Sequence, residues 1–313
     1  MERVSTGIRP LVVSVPNEEL AADLQPLPDG VEVIAWGMDG PAPRAEIDIV
    51  VPPYMSVAVI MPRLAGVRTR LVQGQSIGYE GIAEHLPPGH TFANAASVHE
   101  ASTAELAVAL TLAAQRSIPD FVRAQGEHRW AAQFTQSLAD RRVLLLGYGG
   151  VGKAVAARLA GFEVDVTAVA SRARTEDGVS VHGVDELGEL LPSAEIVIVS
   201  LPGGDSTRGF VDDAFLSALP DGALLVNVGR GSLVDTDALV DHLQRGRLRA
   251  ALDVTDPEPL PADHPLWSAP GAVIAPHVGG ASSAMRPRIA RLVRRQIERM
   301  LAGEEPLNVV IPA

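Results

Sequence analysis

The stretch that most constrains this chain is Arg142 to Arg172, where an apolar run enters directly into three spaced glycines. Val143 to Leu146 suits a strand buried on both faces of a parallel sheet, and it leads into Gly147-x-Gly149-x-x-Gly152. Beyond the glycines, Val151, Val155 and Leu159 recur four residues apart among alanines, the spacing of one helix face. Val164 to Val169 then returns as a second strand. The unit reads as strand, helix, strand. Each glycine has a task in it: Gly147 makes the tight turn, Gly149 lets a ligand approach the backbone, and Gly152 lets helix and strand pack closely. A helix starting there offers free N–H groups and the positive end of its dipole to a phosphate. The frame favours a dinucleotide. A purely structural turn, or another nucleotide-type ligand such as S-adenosylmethionine, fits the glycines taken alone.

A chain of 313 residues is long for one domain and comfortable for two, and with 47% hydrophobic and 20% charged residues it has the composition of a globular protein. A net charge of −12 argues against a nucleic-acid partner and against an anionic membrane surface. No apolar run approaches the roughly 18 residues of a membrane span, and no export leader is recognisable at the start, so the cytoplasm is the expected compartment. Cysteine is absent, which removes disulfides, thiolate nucleophiles and cysteine-ligated zinc together. No metal site is expected.

Upstream of the central unit, Pro10 to Val15, Val31 to Trp36 and Ile47 to Val51 are short segments rich in β-branched residues. Thr69 to Val72 and Thr91 to Asn94 extend the series to a small α/β domain of its own. Glu100 to Arg116 then reads as a long helix between domains, with Leu106, Leu110 and Ala113 on one face and Ser102 or Thr103 as its cap. Phe121 to Leu138 is polar with isolated aromatics, Phe121, Trp130 and Phe134, and reads as a dimerisation arm. Downstream, Glu195 to Ser200, Ala223 to Val228, Arg249 to Val254 and Ala272 to Ala275 are further strands. The striking polar groups follow their C-terminal ends, where open α/β sheets bind ligands. Arg286 to Leu301 is a last amphipathic helix, and Leu307 to Ile311 is an apolar tail expected to return to the first domain.

Three ionisable residues stand out by position: Arg230 after one strand, Glu258 in a proline-rich loop, and His277 after the last strand. A guanidinium is a fixed charged fork suited to a carboxylate, and an imidazole titrates near neutrality. A carboxylate beside an imidazole fixes its tautomer and favours its protonated form, and Glu258 is the candidate for that place. Singly, each residue has an ordinary reading as a solvated or turn-forming group.

Taken with Asn227-Val228-Gly229-Arg230-Gly231, Leu252-Asp253-Val254 with Glu258-Pro259, and Pro276-His277-Val278-Gly279-Gly280, the glycine motif makes four ordered matches. On these the chain resembles the D-isomer-specific 2-hydroxyacid dehydrogenases over nearly its whole length. The resemblance implies two Rossmann-like domains of doubly wound parallel sheet, the outer one formed from both chain ends. Residues 1–95 and 284–313 would make a flavodoxin-like substrate domain, and 96–283 the dinucleotide-binding domain. It implies reduction of a small 2-oxo acid, glyoxylate or hydroxypyruvate being typical, to the D-2-hydroxy acid. Arg230 would hold the substrate's carboxylate and carbonyl, His277 would be the acid/base, and Glu258 would orient it. Ile77 and Gly78 would offer backbone N–H groups to the carboxylate; Tyr54 and Tyr79 fit either a role in narrowing the substrate pocket or simple packing at a domain edge. The substrate loop departs from the family's usual Ser-x-Gly-x-Asp, reading Ser76-Ile77-Gly78-Tyr79-Glu80.

The cofactor residues implied are Gly147, Tyr148, Gly149, Gly150, Val151, Gly152, Ser171, Arg172, Leu201, Pro202, Thr207, Val228, Gly229, Asp253, Gly279 and Gly280, with Asp253 near the nicotinamide carboxamide. The second strand ends in Ala170-Ser171-Arg172, with no acid where NAD enzymes place one for the ribose 2′-OH. A hydroxyl and a guanidinium suit a 2′-phosphate, so NADP is expected over NAD. A homodimer is the family expectation. The same fold also serves as a nucleotide-sensing corepressor or scaffold, which stands as the alternative function.

Overall fold

The computed structural model describes residues 9–54 and 57–313; residues 1–8, the stretch read for an export leader, fall outside it. The chain forms two compact units, Met1–His99 with Ser283–Ala313, and Glu100–Ser282.

In the first unit, strands β1 (Leu11–Val15), β2 (Val31–Ala35), β3 (Ile49–Val50), β4 (Leu71–Gln73) and β5 (Phe92–Ala93) make a parallel sheet in the order β5-β4-β3-β1-β2. The apolar tail does return here: Val309–Ile311 adds to β5 as an antiparallel edge strand. Alternate side chains feed opposite faces, as the strand period of two requires. Leu11, Val13 and Val15 join one core with Ile289, Val293 and Ile297 of the helix Met285–Leu301, while Val12, Val50 and Val72 join another. The four-residue spacing in that helix therefore marks its buried stripe.

In the second unit, the strands are β6 (Arg142–Leu146), β7 (Asp165–Ala170), β8 (Arg174–Glu176), β9 (Val179–Gly183), β10 (Ile196–Val199), β11 (Leu224–Asn227), β12 (Arg249–Leu252) and β13 (Ala272–Ile274). They lie in the order β13-β12-β11-β10-β6-β7-β9-β8. All pairs are parallel except β8 with β9. The order reverses beside β6, the topological switch where such sheets open a crevice. Leu144 and Leu146 face one core with Val197, Val199 and Leu225, whereas Val143 and Leu145 face another with Ile196, Ile198 and Val226. Burial on both faces explains why these strands read as continuous apolar runs.

One expectation needs correction. The helix Glu100–Gln115 contains Ser102 and Thr103, both buried, inside its first turn, so neither is its cap. The stretch 174–183, for which no strand was expected, is a β-hairpin on the sheet edge, turning at Asp177-Gly178. In the segment read as an arm, Ile118–Gly126 is a helix, and Trp130 and Phe134 beyond it are fully exposed, at 97% and 108%.

Candidate active site

Gly147 closes β6 with a φ of 105°, a left-handed value that an L side chain rarely adopts. A Cβ on Gly152 would stand 2.0 Å from the Gly147 carbonyl oxygen, so helix and turn meet at a distance only glycine permits. Gly149 is different. Its φ is −89° and a Cβ there would meet nothing within 4 Å, so neither backbone strain nor packing accounts for a glycine. It is also the N-cap of the helix Gly150–Leu159, with no side-chain capping bond. An uncapped helix end behind open space is the cradle a pyrophosphate takes. The residues present therefore fit a dinucleotide.

The residues expected at the cofactor's ribose lie at the end of β7. Ser171 and Arg172 follow Ala170 and are exposed. The hairpin brings in Arg174, which donates to the Tyr148 carbonyl at 3.3 Å and to Glu176 Oε2 at 2.9 Å. Lys153, in the first turn of the helix, donates to Glu176 Oε1 at 2.5 Å. Hydrogen bonds from Lys153 and then Arg174 hold the Glu176 carboxyl below its usual range, and the same contact raises Lys153. An acid does approach the turn, then, but both its oxygens are engaged by cations.

On the other side of β6, Leu201, Pro202 and Thr207 lie in the loop after β10, where Thr207 Oγ1 donates to the Pro202 carbonyl at 3.0 Å. Val228 and Gly229 follow β11. Their turn is shaped by the buried Asn227, whose Oδ1 accepts from the Gly229 N–H at 3.0 Å and whose Nδ2 donates to the Arg230 carbonyl at 2.9 Å. Arg230 turns its Nη1 onto the Gly229 carbonyl at 2.7 Å. A Cβ on Gly231 would stand 1.8 Å from the Thr255 carbonyl oxygen, so this turn and the one after β12 are pressed backbone to backbone.

His277 follows β13 with a φ of 53°. Its N–H donates to the Asp253 carbonyl at 2.7 Å, and its Nδ1 lies 2.5 Å from Glu258 Oε1. Ring and carboxyl are each about one-third exposed, at 33% and 39%. With Nδ1 committed to the carboxylate, Nε2 is the ring atom left to exchange a proton with a ligand. Asp253 is 2% exposed, and its two oxygens accept the N–H groups of Val278 at 2.7 Å and Gly279 at 2.9 Å. Asp253, expected beside the cofactor's carboxamide, is found building the turn that carries His277, Gly279 and Gly280. The role of Asn227 as the builder of the Arg230 turn went unread in the sequence, although the motif contains it.

The remaining expected residues belong to the first unit. Tyr54 follows β3 and stacks on the His99 ring with centroids 5.8 Å apart. Ile77 and Gly78 lie in the loop after β4 and are half-buried. Among the described residues, no group of three or more His, Asp and Glu side chains could hold a metal ion, and no helix is long and apolar enough to cross a membrane.

A parallel sheet with a glycine phosphate turn, and an arginine and a carboxylate-paired histidine at its C-terminal edge, is the construction of a dinucleotide-dependent oxidoreductase. Residues 108–279 match the family model described as D-isomer specific 2-hydroxyacid dehydrogenase, NAD binding domain. The glyoxylate reductase of Korarchaeum cryptofilum is 32% identical over 257 residues, 79% of this chain and 77% of that one. An uncharacterized protein in the proB 3′ region of Corynebacterium melassecola is 39% identical over 168 residues; that match spans 53% of this chain and about half of the relative, 55%. A D-isomer specific 2-hydroxyacid dehydrogenase from Xanthobacter autotrophicus Py2, solved in complex with NADPH and MES, superposes with a TM-score of 0.79. It is 29% identical, over 97% of this chain and 99% of that chain. The chain belongs to the D-isomer specific 2-hydroxyacid dehydrogenase family, a family of NAD(P)-dependent oxidoreductases.

Proposed function

We propose that this protein reduces a small 2-oxo acid, of the glyoxylate or hydroxypyruvate kind, to the D-2-hydroxy acid with NADPH. The observation that carries the reading is the 2.5 Å pair of His277 and Glu258 at the same strand ends that carry Arg230 and the open glycine turn. The cofactor, when bound, supplies the hydride that reaches the carbonyl carbon. Arg230 offers a permanent guanidinium to the substrate's carboxylate and carbonyl oxygen, drawing charge toward the atom that becomes an alkoxide. His277 delivers the proton to that oxygen from Nε2, and Glu258 holds the ring through Nδ1 in the orientation this needs. Ile77 and Gly78 give backbone N–H groups to the far side of the carboxylate, and Tyr54 limits the substrate's side chain.

Preference for NADPH is supported by Ala170 at the strand end, by the exposed Ser171 and Arg172 after it, and by the double engagement of Glu176, which occupies the nearest acid. A similar protein, that of Xanthobacter autotrophicus, carries NADPH in its structure. The reading is of a cytoplasmic homodimer, in which the exposed Trp130 and Phe134 cover a second copy. The test is kcat/KM with each cofactor across a panel of 2-oxo acids, for the wild type and Arg172→Ala. Losing a charge-assisted phosphate contact should cost NADPH about 10-fold or more and leave NADH unchanged. A wild-type preference for NADH, or unaltered NADPH use by the variant, would refute the assignment.

A further inference from the structure

Three consecutive carbonyls of the loop after β4 are bound on one side, all by the segment 94–99. His99 Nε2 donates to the Gln75 carbonyl at 2.5 Å, the Ala95 N–H to that of Ser76 at 2.8 Å, and Asn94 Nδ2 to that of Ile77 at 2.8 Å. In a planar trans peptide the C=O and the following N–H point in opposite directions. Fixing these three oxygens therefore turns the N–H groups of Ser76, Ile77 and Gly78 to the opposite side together. Among the described residues, none of those three N–H groups has a hydrogen-bond partner. The clamp itself is buried, with His99 at 3% and Asn94 at 8% exposure. The stack of the His99 ring on Tyr54 fixes the plane from which Nε2 donates, and Gln75 Nε2 ties the loop to the Pro52 carbonyl at 2.8 Å.

We infer that His99 and Asn94 are positioning residues that aim a row of three backbone donors at the substrate's carboxylate, with the Ser76 N–H as a third donor beside Ile77 and Gly78. The identity of the anion rests on the proposed function; the row of donors rests on the peptide geometry. A backbone donor row binds an anion without a counter-charge, so its strength depends on how rigidly the peptides are held. His99 holds the first peptide and Asn94 the third. Freed from His99, the Gln75–Ser76 peptide can rotate, and one donor leaves the row.

The experiment uses the full chain loaded with NADPH or NADP and compares wild type, His99→Leu and His99→Gln, whose amide can still donate. Oxalate binding is measured by calorimetry, alongside KM and kcat for glyoxylate and the dissociation constant of NADPH. Loss of one hydrogen bond to a charged group predicts that His99→Leu weakens oxalate and raises KM by about 10- to 100-fold. The variant should leave kcat within about 3-fold and NADPH binding unchanged, and His99→Gln should restore most of the loss. Wild-type oxalate affinity in His99→Leu overturns the inference, as does a loss that extends equally to NADPH binding and is not rescued by glutamine. If the leucine variant does not fold, Asn94→Ser, which frees the Ile77 carbonyl instead, is read by the same criteria. A wild type that binds oxalate but reduces no 2-oxo acid overturns the proposed function alone; one that binds no oxalate overturns the donor row.

Discussion

Replacing Asp253 by asparagine tests how the catalytic turn is held. The His277 backbone sits at a φ of 53°, in a region that costs an ordinary L residue about 1–2 kcal/mol. Three bonds to one residue hold it there: the Asp253 carbonyl takes the His277 N–H at 2.7 Å, and the carboxylate takes those of Val278 at 2.7 Å and Gly279 at 2.9 Å. Asp253→Asn keeps the shape but makes one oxygen an amide donor facing an N–H. One charge-assisted bond worth about 1.5–3 kcal/mol is lost, more than the left-handed backbone costs, so the turn relaxes and His277 loses its register with Glu258. Because the carboxylate is 2% exposed, water does not replace the missing acceptor. The variant should lose about 1–3 kcal/mol of stability, seen as a drop of several degrees in the thermal midpoint. A displacement of about 1 Å at the acid/base should lower kcat about 10²-fold. Thermal unfolding and steady-state kinetics on the same preparation read both. A variant with the wild-type midpoint and the wild-type kcat would show that the carboxylate does not hold the turn.

Arg230→Lys keeps the charge but not the planar fork, so kcat/KM for the 2-oxo acid should fall about 10- to 100-fold while NADPH affinity is retained; equal kcat/KM would remove bidentate recognition from the account. His90 is buried against Thr69, 2.7 Å from Nδ1 to Oγ1, and burial lowers its pKa from the ordinary 6.5 despite an opposing backbone bond at Leu64. The unfolded chain therefore binds the proton more readily, and the stability this neutral imidazole contributes, present above about pH 6.5, is lost as the pH falls below it. The midpoint should drop between about pH 7 and 5, and less steeply in His90→Gln; parallel curves for the two proteins would contradict this.

The parts of this molecule that were legible in the sequence are those whose causes are local. β6, its glycine turn and the following helix declare themselves within about 20 residues, because burial on both faces, a tight turn and a helix stripe each leave a pattern. Two of the short helices for which no element was expected, Asp213–Ala218 and Thr236–Gln244, carried a readable sign: Asp212 and Asp235 cap them by accepting from Phe215 and Ala238. The β8–β9 hairpin carried one as well, the Asp177-Gly178 turn with φ of 52° and 80°, but its mostly exposed strands show little burial pattern and are tied down by Lys153 across 23 positions. His99 and Asn94 act on carbonyls 24 and 17 residues away, and a hydrogen bond to a backbone oxygen imposes no pattern on the sequence around that oxygen. Asp253 could be placed at the site but not given its work, because which N–H groups its carboxylate meets depends on where β13 ends beside β12.

The most direct test of the central claim is single-turnover reduction of glyoxylate by the NADPH-loaded protein, wild type against His277→Gln, with NADPH binding measured in parallel. The account predicts turnover by the wild type and a loss of about 10²–10⁴-fold in the variant, with NADPH binding preserved, because the proton donor alone has been removed. A variant that reduces glyoxylate at the wild-type rate would contradict the assignment of His277 as that donor.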